Sequence, residues 1–137
     1  MVQQISVYAE NKKGTMQKIT GVLLGVNVNI IALVSNDSAE FGIVRMIVDQ
    51  SKKAQKALED AGYLVHCDDV LAVDMDDHPG GLNALLETIR ESNTNIDYLY
   101  ISYDRDHSVP IAIIHAPDIP ELEACLTFHG FTVRQES

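Results

Sequence analysis

The sequence predicts an α+β fold built from two copies of one β-α-β-β-α-β unit, and three observations carry that reading. A turn at positions 11–16, Asn11-Lys12-Lys13-Gly14-Thr15-Met16, reappears 66 positions later as Asp77-His78-Pro79-Gly80-Gly81-Leu82. Asn29-Ile30 reappears as Asn95-Ile96 at the same offset. Gly62-Tyr63 reappears as Gly130-Phe131, from position 62 to 130, so only small length changes lie between the copies. Self-similarity at a fixed period is weighed first, because missing it misassigns the whole fold.

Each element follows from local pattern. Ile5 to Ala9 is a short apolar strand, and residues 11–14 are a turn. From Thr15 a helical period places Met16, Ile19, Val22, Leu23 and Val26 on one face, and Gly25 and Asn27 suit its end. Asn29 to Val34 is apolar on both faces, the pattern of a strongly buried strand; residues 35–38 turn the chain, and Phe41 to Val48 returns. Ser51 opens a helix with Ala54, Ala57, Leu58 and Ala61 on one side and three lysines outside; Gly62 ends it, and Tyr63 to Cys67 is a fourth strand. The order then repeats. Val70 to Met75 is a strand, and the Asp77 turn leads to a helix with Leu82, Leu85, Leu86 and Ile89 inward. Asn95-Ile96 opens a strand to Tyr103, residues 104–107 turn, and Val109 to His115 returns. A helix with Leu122, Cys125 and Leu126 follows residues 117–120, and Gly130 to Val133 closes the chain.

This split order is the ferredoxin-like plait, with both helices of a unit on one face of an antiparallel sheet. The boundary is expected at Asp68-Asp69, the only polar break, giving units 1–68 and 69–137 paired side by side. A unit of this size buries too little surface to be comfortable alone, and an apolar second strand at a sheet edge invites pairing. Joined units, and a homodimer of the chain, are therefore expected.

Bulk properties narrow the function. The chain has 137 residues and a net charge of −10, with no apolar run near the ~20 residues that a membrane helix needs. Residues 1–68 carry seven Lys/Arg and seven Asp/Glu, whereas residues 69–137 carry three and thirteen. So acidic a chain, without a basic stripe, is not built for nucleic acid. No secretory signal is expected from residues 1–4, and two cysteines, Cys67 and Cys125, make no disulfide framework, so a cytoplasmic location with reduced thiols is expected.

With the duplicated turn and strand order in view, the chain resembles the ACT-domain family, small ligand-binding modules of amino-acid metabolism, as two tandem copies. Asp77-His78-Pro79-Gly80-Gly81-Leu82 fits the family's D/N-x-P-G-x-L-like turn fully; the earlier copy has Lys13 where proline is usual. The resemblance implies regulation by an amino-acid effector at the interface of two paired units, one unit offering its glycine turn and the other its second strand. By position the implied ligand-binding residues are Asn11, Lys12, Lys13, Gly14, Thr15 and Met16, then Asp77, His78, Pro79, Gly80, Gly81 and Leu82, with Asn29, Ile30, Asn95 and Ile96 from the strands. Of these, Met16 and Leu82 read as core residues. The residue types suit the ligand: helix-start N–H groups take a carboxylate, and Asn both donates and accepts. Lys12 and Lys13 flank the first turn and Asp74, Asp76, Asp77 and His78 the second, so the two sites should differ in affinity, or one alone should bind.

Other chemistry is thinly represented. His66-Cys67-Asp68-Asp69 has metal-ligand types without metal-site spacing, and no cofactor or metal is expected. His107, His115 and His129 stand apart, and no Cys–His pairing is evident. The tyrosines at 98, 100 and 103 pack across strands more simply than they stack on RNA. The leading expectation is a non-enzymatic, amino-acid-binding regulator acting on a separate metabolic enzyme or regulator. Its rivals are a module that only oligomerises and a small plait-fold enzyme using Asp77 and His78.

Overall fold

The computed structural model describes residues 1–10, 12–37 and 41–135. The chain divides into two compact units, Gln3–Asp68 and Asp69–Ser137, the latter joined by Met1–Val2.

The first unit contains β1 (Val2–Glu10), α1 (Thr15–Gly25), β2 (Ile30–Asp37), β3 (Phe41–Val48), α2 (Ser51–Asp60) and the opening of β4 (Leu64–Asp74). Its strand order is β2-β3-β1-β4. Strand β3 is antiparallel to both neighbours, with Val44 opposite Val7 on β1 and Ser35 on β2. The second unit contains the remainder of β4, α3 (Gly81–Arg90), β5 (Tyr98–Asp104), β6 (Val109–His115) and α4 (Ile119–Phe128). Here β6 lies between β5 and β4, with Ala112 opposite Ile101 and Val73. A single bridge, Val73 to Val133, takes the place of a closing strand, flanked by Asp74 N–H donating to the Thr132 carbonyl and Arg134 N–H to that of Ala72. Both units are ferredoxin-like plaits.

The cores repeat position by position. In the first unit Ile5, Val7, Ile19 and Leu23 are buried with Met46, Ala54 and Leu58. In the second Leu71, Val73, Leu85 and Ile89 are buried with Ile114, Leu122 and Leu126. The first four pairs are 66 positions apart, and the last three are 68 apart. Each large apolar side chain so buried contributes on the order of 1.5–3 kcal/mol. The helix ends repeat too. Gly62 and Gly130 take φ of 94° and 89° past α2 and α4, where their N–H groups donate to Glu59 and Thr127. The following N–H groups, of Tyr63 and Phe131, donate to Leu58 and Leu126, completing two equivalent Schellman caps. Asn27, at φ 59°, closes α1 the same way.

The two units meet between Asp68 and Asp69, inside β4, which runs as one strand of 11 residues where two strands were expected. Other expectations are corrected. Strand β2 is not buried on both faces: Ile31 is 53% and Leu33 39% exposed, and the register slips between Ile30 and Ala32. An edge strand bulged there resists unwanted pairing. Strand β5 opens at Tyr98, three residues after Asn95; in the loop before it the Ser92 hydroxyl donates to the Ile89 carbonyl and accepts from the Thr94 N–H. Leu86 faces outward on α3, and Met16 is exposed on α1, so neither is core.

Candidate functional site

Both turns have the same backbone. In the first, Thr15 N–H donates to the Lys12 carbonyl at 3.2 Å; in the second, Gly81 N–H donates to that of His78 at 3.0 Å. Gly14 stands at φ 85°, ψ −3° and Gly80 at φ 89°, ψ −3°. These angles define the third residue of a type II turn, where a side chain is strained and glycine is not. Pro79 occupies the second residue, whose φ proline presets; Lys13 occupies it in the first copy. Each turn delivers the chain into a helix whose glycine N-cap has no side-chain cap bond. The first N–H groups of α1 and α3 therefore have no intrahelical partner, as at any helix start.

The surroundings differ. In the first unit a cavity of about 150 Å³ lies between the turn and the sheet. Lys12, Thr15 and Met16 line it from the turn and helix, Ala9 and Glu10 from the end of β1, and Ser35, Gly42 and Val44 from β2 and β3. Lys12 Nζ is 2.6 Å from Glu10 Oε2, with both side chains largely in solvent. That hydrogen bond and its Coulomb attraction lower the Glu10 pKa and raise that of Lys12. So exposed a pair holds its partners weakly. Lys13 and Gly14 are exposed beside it, and Asn11 lies outside the described residues.

In the second unit larger residues stand at the equivalent wall positions. Strand register makes Met75 the counterpart of Ala9, Ile101 that of Ser35, and Pro110 that of Gly42. Met75 and Pro110 are buried. The turn also sits hard against the strand end, where a Cβ on Gly81 would run into the Asp76 carbonyl oxygen. A cavity of about 310 Å³ in this unit is lined by Met75 and Asp76 from the strand end, with Val109 and residues 129–132, and not by residues 77–82. Asp77, Pro79 and Gly80 are exposed, while Leu82 packs against the core. His78 Nδ1 lies 2.9 Å from the Pro79 carbonyl oxygen, and its Nε2 is 3.5 Å from Asp76. The Pro79 carbonyl, then Asp76, raise the His78 pKa.

The strand residues are not brought to the turns of their own units. Asn29 is at the far end of β2 from Ser35, pinned by its N–H to Asp49 Oδ1 at 3.0 Å and by Asp49 N–H to its carbonyl. Ile30 packs against the core. Asn95 and Ile96 line a separate cavity of about 410 Å³ with Leu86 and Arg90 at the end of α3.

Two arrangements escape sequence reasoning. Arg134 Nε and Nη1 each lie 2.6 Å from a carboxylate, of Asp74 and Asp104 respectively, and His107 Nδ1 is 2.8 Å from Asp104 Oδ2. Arg134, then His107, hold the Asp104 carboxyl well below the usual carboxylate range. Only the fold joins residues 74, 104 and 134, so no local signal announces this clamp. The other is a Cys–His proximity: Cys125 Sγ is 3.9 Å from His129 Nδ1, one helical turn on. It is no activated thiolate. Burial, then Glu91 and Glu121, push the Cys125 thiol up, and His129 Nδ1 lies 2.8 Å from the Cys125 carbonyl oxygen. Among the described residues no His/Cys/Asp/Glu group has metal-site geometry, and no helix is long and apolar enough to cross a membrane.

Two plaits joined in one chain, each with a glycine turn leading into a helix, define a tandem plait module. The family model described as ACT domain pair matches residues 1–118, and the chain belongs to that family. ACT domains are regulatory modules. Among solved structures, protein BT0572 from Bacteroides thetaiotaomicron is 29% identical with a TM-score of 0.90, the match covering 97% of this chain and 91% of that one. The regulatory subunits of aspartate kinase from Thermus thermophilus and Thermus flavus share the fold at 18% and 15% identity. Their TM-scores are 0.71 and 0.64, covering 91% and 92% of this chain and 88% and 90% of theirs. No curated protein matches the chain.

Proposed function

We propose that this protein is a non-enzymatic regulator that binds an amino acid at its first glycine turn. The observation that carries the reading is the cavity of about 150 Å³ lined by Lys12, Thr15 and Met16 together with Ala9, Ser35 and Gly42, where the second unit has Met75, Ile101 and Pro110 in place of the last three. Helix-start N–H groups and Lys12 suit a carboxylate, and Glu10 suits an ammonium. Lys13 and Gly14 belong to this site by continuity of the turn, and Asn11 is proposed for it from the family resemblance alone. In the second turn, residues 77–82 keep a structural role, and Asn95 and Ile96 with them. Asn29 and Ile30 enter a site only through a second copy of the chain, so the working form is a homodimer. Light scattering, read with and without ligand, checks that mass.

The units are taken as residues 1–68 and 69–137. The output passes to a separate enzyme or regulator in the cytoplasm. Fold likeness to the regulatory subunits of aspartate kinase, where regulation resides in a named subunit, supports this division of labour. A ligand biases such a regulator only through different affinities for its two arrangements. A thermal-shift screen of the full chain against the twenty amino acids tests the reading, because a ligand that binds only the folded state raises the melting temperature. At least one is expected to shift it, and Gly14→Val should abolish that shift. No shift with any of the twenty sinks the proposal.

A further inference from the structure

The helices of the two units carry opposite charge. In the first unit, residues 12–25 and 51–60 hold six lysines against Glu59 and Asp60, a net of +4. The equivalent stretches of the second unit, residues 78–91 and 119–128, hold Arg90 against Glu87, Glu91, Glu121 and Glu123, a net of −3. All six lysines are exposed, as are Glu87 and Glu91, while Glu121 and Glu123 are half-buried. Each helix turns its apolar side to its own core, so these charges form the outer surface of each helical layer.

Each layer also holds one large apolar side chain in solvent. Leu24, in the last turn of α1, is 79% exposed, and Phe128, in the last turn of α4, is 85% exposed. The Gln50 side chain donates to the Asn27 carbonyl at 3.3 Å and ties the end of α1 to the start of α2, where Lys52 and Lys53 lie. Phe128 meets the His129 ring edge-on, with centroids 5.2 Å apart, and His129 Nε2 is 3.0 Å from Glu91. Leu24 therefore stands near cations and Phe128 near an anion. The outward stripes of α2 and α4 differ position by position. Lys52, Lys56, Glu59 and Asp60 become Pro120, Ala124, Thr127 and Phe128, 68 positions on, and all eight are exposed. A charged stripe suits water; an uncharged one that ends in Phe, with carboxylates beside it, has the apolar centre and polar rim of an interface.

Going beyond the ligand reading, we infer that the α3–α4 layer of one copy docks on the α1–α2 layer of a second copy. Charge selects that pairing. Like layers brought together set +4 against +4 or −3 against −3, whereas unlike layers attract, and complementary potentials decide which surfaces meet. The occupant is a second copy because every chain carries both halves of the contact. In a closed pair the contact is made twice, each chain giving one layer of each sign.

Light scattering of the ligand-free full chain tests this. At about 50 mM salt a mass of at least two chains is expected. Association should be at least tenfold weaker at about 500 mM, where the screening length falls to about 4 Å. Lys52→Glu, Lys53→Glu and Lys56→Glu together make both layers acidic. Glu87→Lys, Glu91→Lys and Glu123→Lys together make both basic. Each triple variant should associate at least tenfold more weakly than wild type, with an unchanged circular-dichroism spectrum. An equimolar mixture of the two should regain the wild-type mass, because every layer then meets its opposite. Leu24→Ser and Phe128→Ser keep all charges and should each weaken association at least tenfold. A single-chain mass for wild type at low salt overturns the inference, as does association indifferent to salt. Two folded triple variants that mix without associating also overturn it. Should either triple variant lose its spectrum, the serine variants decide: undiminished association in both sinks the contact. Every measurement is made without amino acid, so failure here leaves the proposed ligand site standing.

Discussion

The two glycine turns share a backbone and differ in what lies beneath it. Gly14 and Gly80 agree within a few degrees of φ, and both turns close with the same hydrogen bond. Yet the first covers a cavity, and the second lies over Met75 and Pro110. The second also matches the family's motif better, proline included. The lesson is that a turn motif reports backbone geometry, which both copies need in order to start a helix from a strand end. Room for a ligand is set by residues one strand away, at positions such as 35 and 42. One copy has small residues at those positions, and the other has larger ones.

That contrast can be broken or sharpened by substitution. The largest effect is expected at position 81, the counterpart of Thr15. Gly81→Val forces the turn off the Asp76 carbonyl and should destabilise the second unit by about 1–3 kcal/mol in denaturant unfolding. Thr15→Gly in the first unit should stay within about 1 kcal/mol. Next come the positions where the copies should agree. Gly14→Ala and Gly80→Ala each place a Cβ at φ near 85–89° and should each cost about 1–2 kcal/mol. Unequal losses there would mean that the two backbones are not equivalent.

A smaller effect separates Lys13 from Pro79. Lys13→Pro should stabilise the first unit by about 0.4–1 kcal/mol by restricting the unfolded chain, and Pro79→Ala should lose a similar amount. A destabilising Lys13→Pro would show that the first turn tolerates proline poorly.

The smallest effect is confined to acid. Arg134 and His107 depress the Asp104 pKa in the folded state. Its contribution is therefore complete above the ordinary carboxylate range and is lost as pH falls below it, where the unfolded chain binds the proton first. The raised pKa of His78 works in the opposite sense: its contribution is present in acid and is lost as pH rises through the folded value. Arg134→Met should flatten the acid limb of the stability-against-pH curve for the second unit and leave the first unit's limb unchanged. Equal acid limbs in wild type and variant would remove the clamp from the account.

The fold was legible because duplication let each element vouch for its copy. Core pairs such as Ile19 and Leu85, or Leu58 and Leu126, recur at offsets that only a shared architecture maintains. Legibility failed where outcome depends on neighbours distant in sequence. The start of β5 at Tyr98, the continuity of β4 through Asp68-Asp69 and the exposure of Met16 and Leu86 are such outcomes. The candidate cavity was half legible: residues 12, 15 and 16 stand in the turn motif, whereas Glu10 and Ser35 carry no sequence signal.

By itself, then, the sequence determined two plaits, two glycine turns and an acidic second half, since these follow from local periodicity, backbone sterics and charge. The tertiary structure alone decided which turn has room beneath it. That depends on strand register, which sets Ser35 and Gly42 beside one turn and Ile101 and Pro110 beside the other. The offset between the copies changes from 66 to 68 along the chain, so those pairs cannot be matched until the strands are paired.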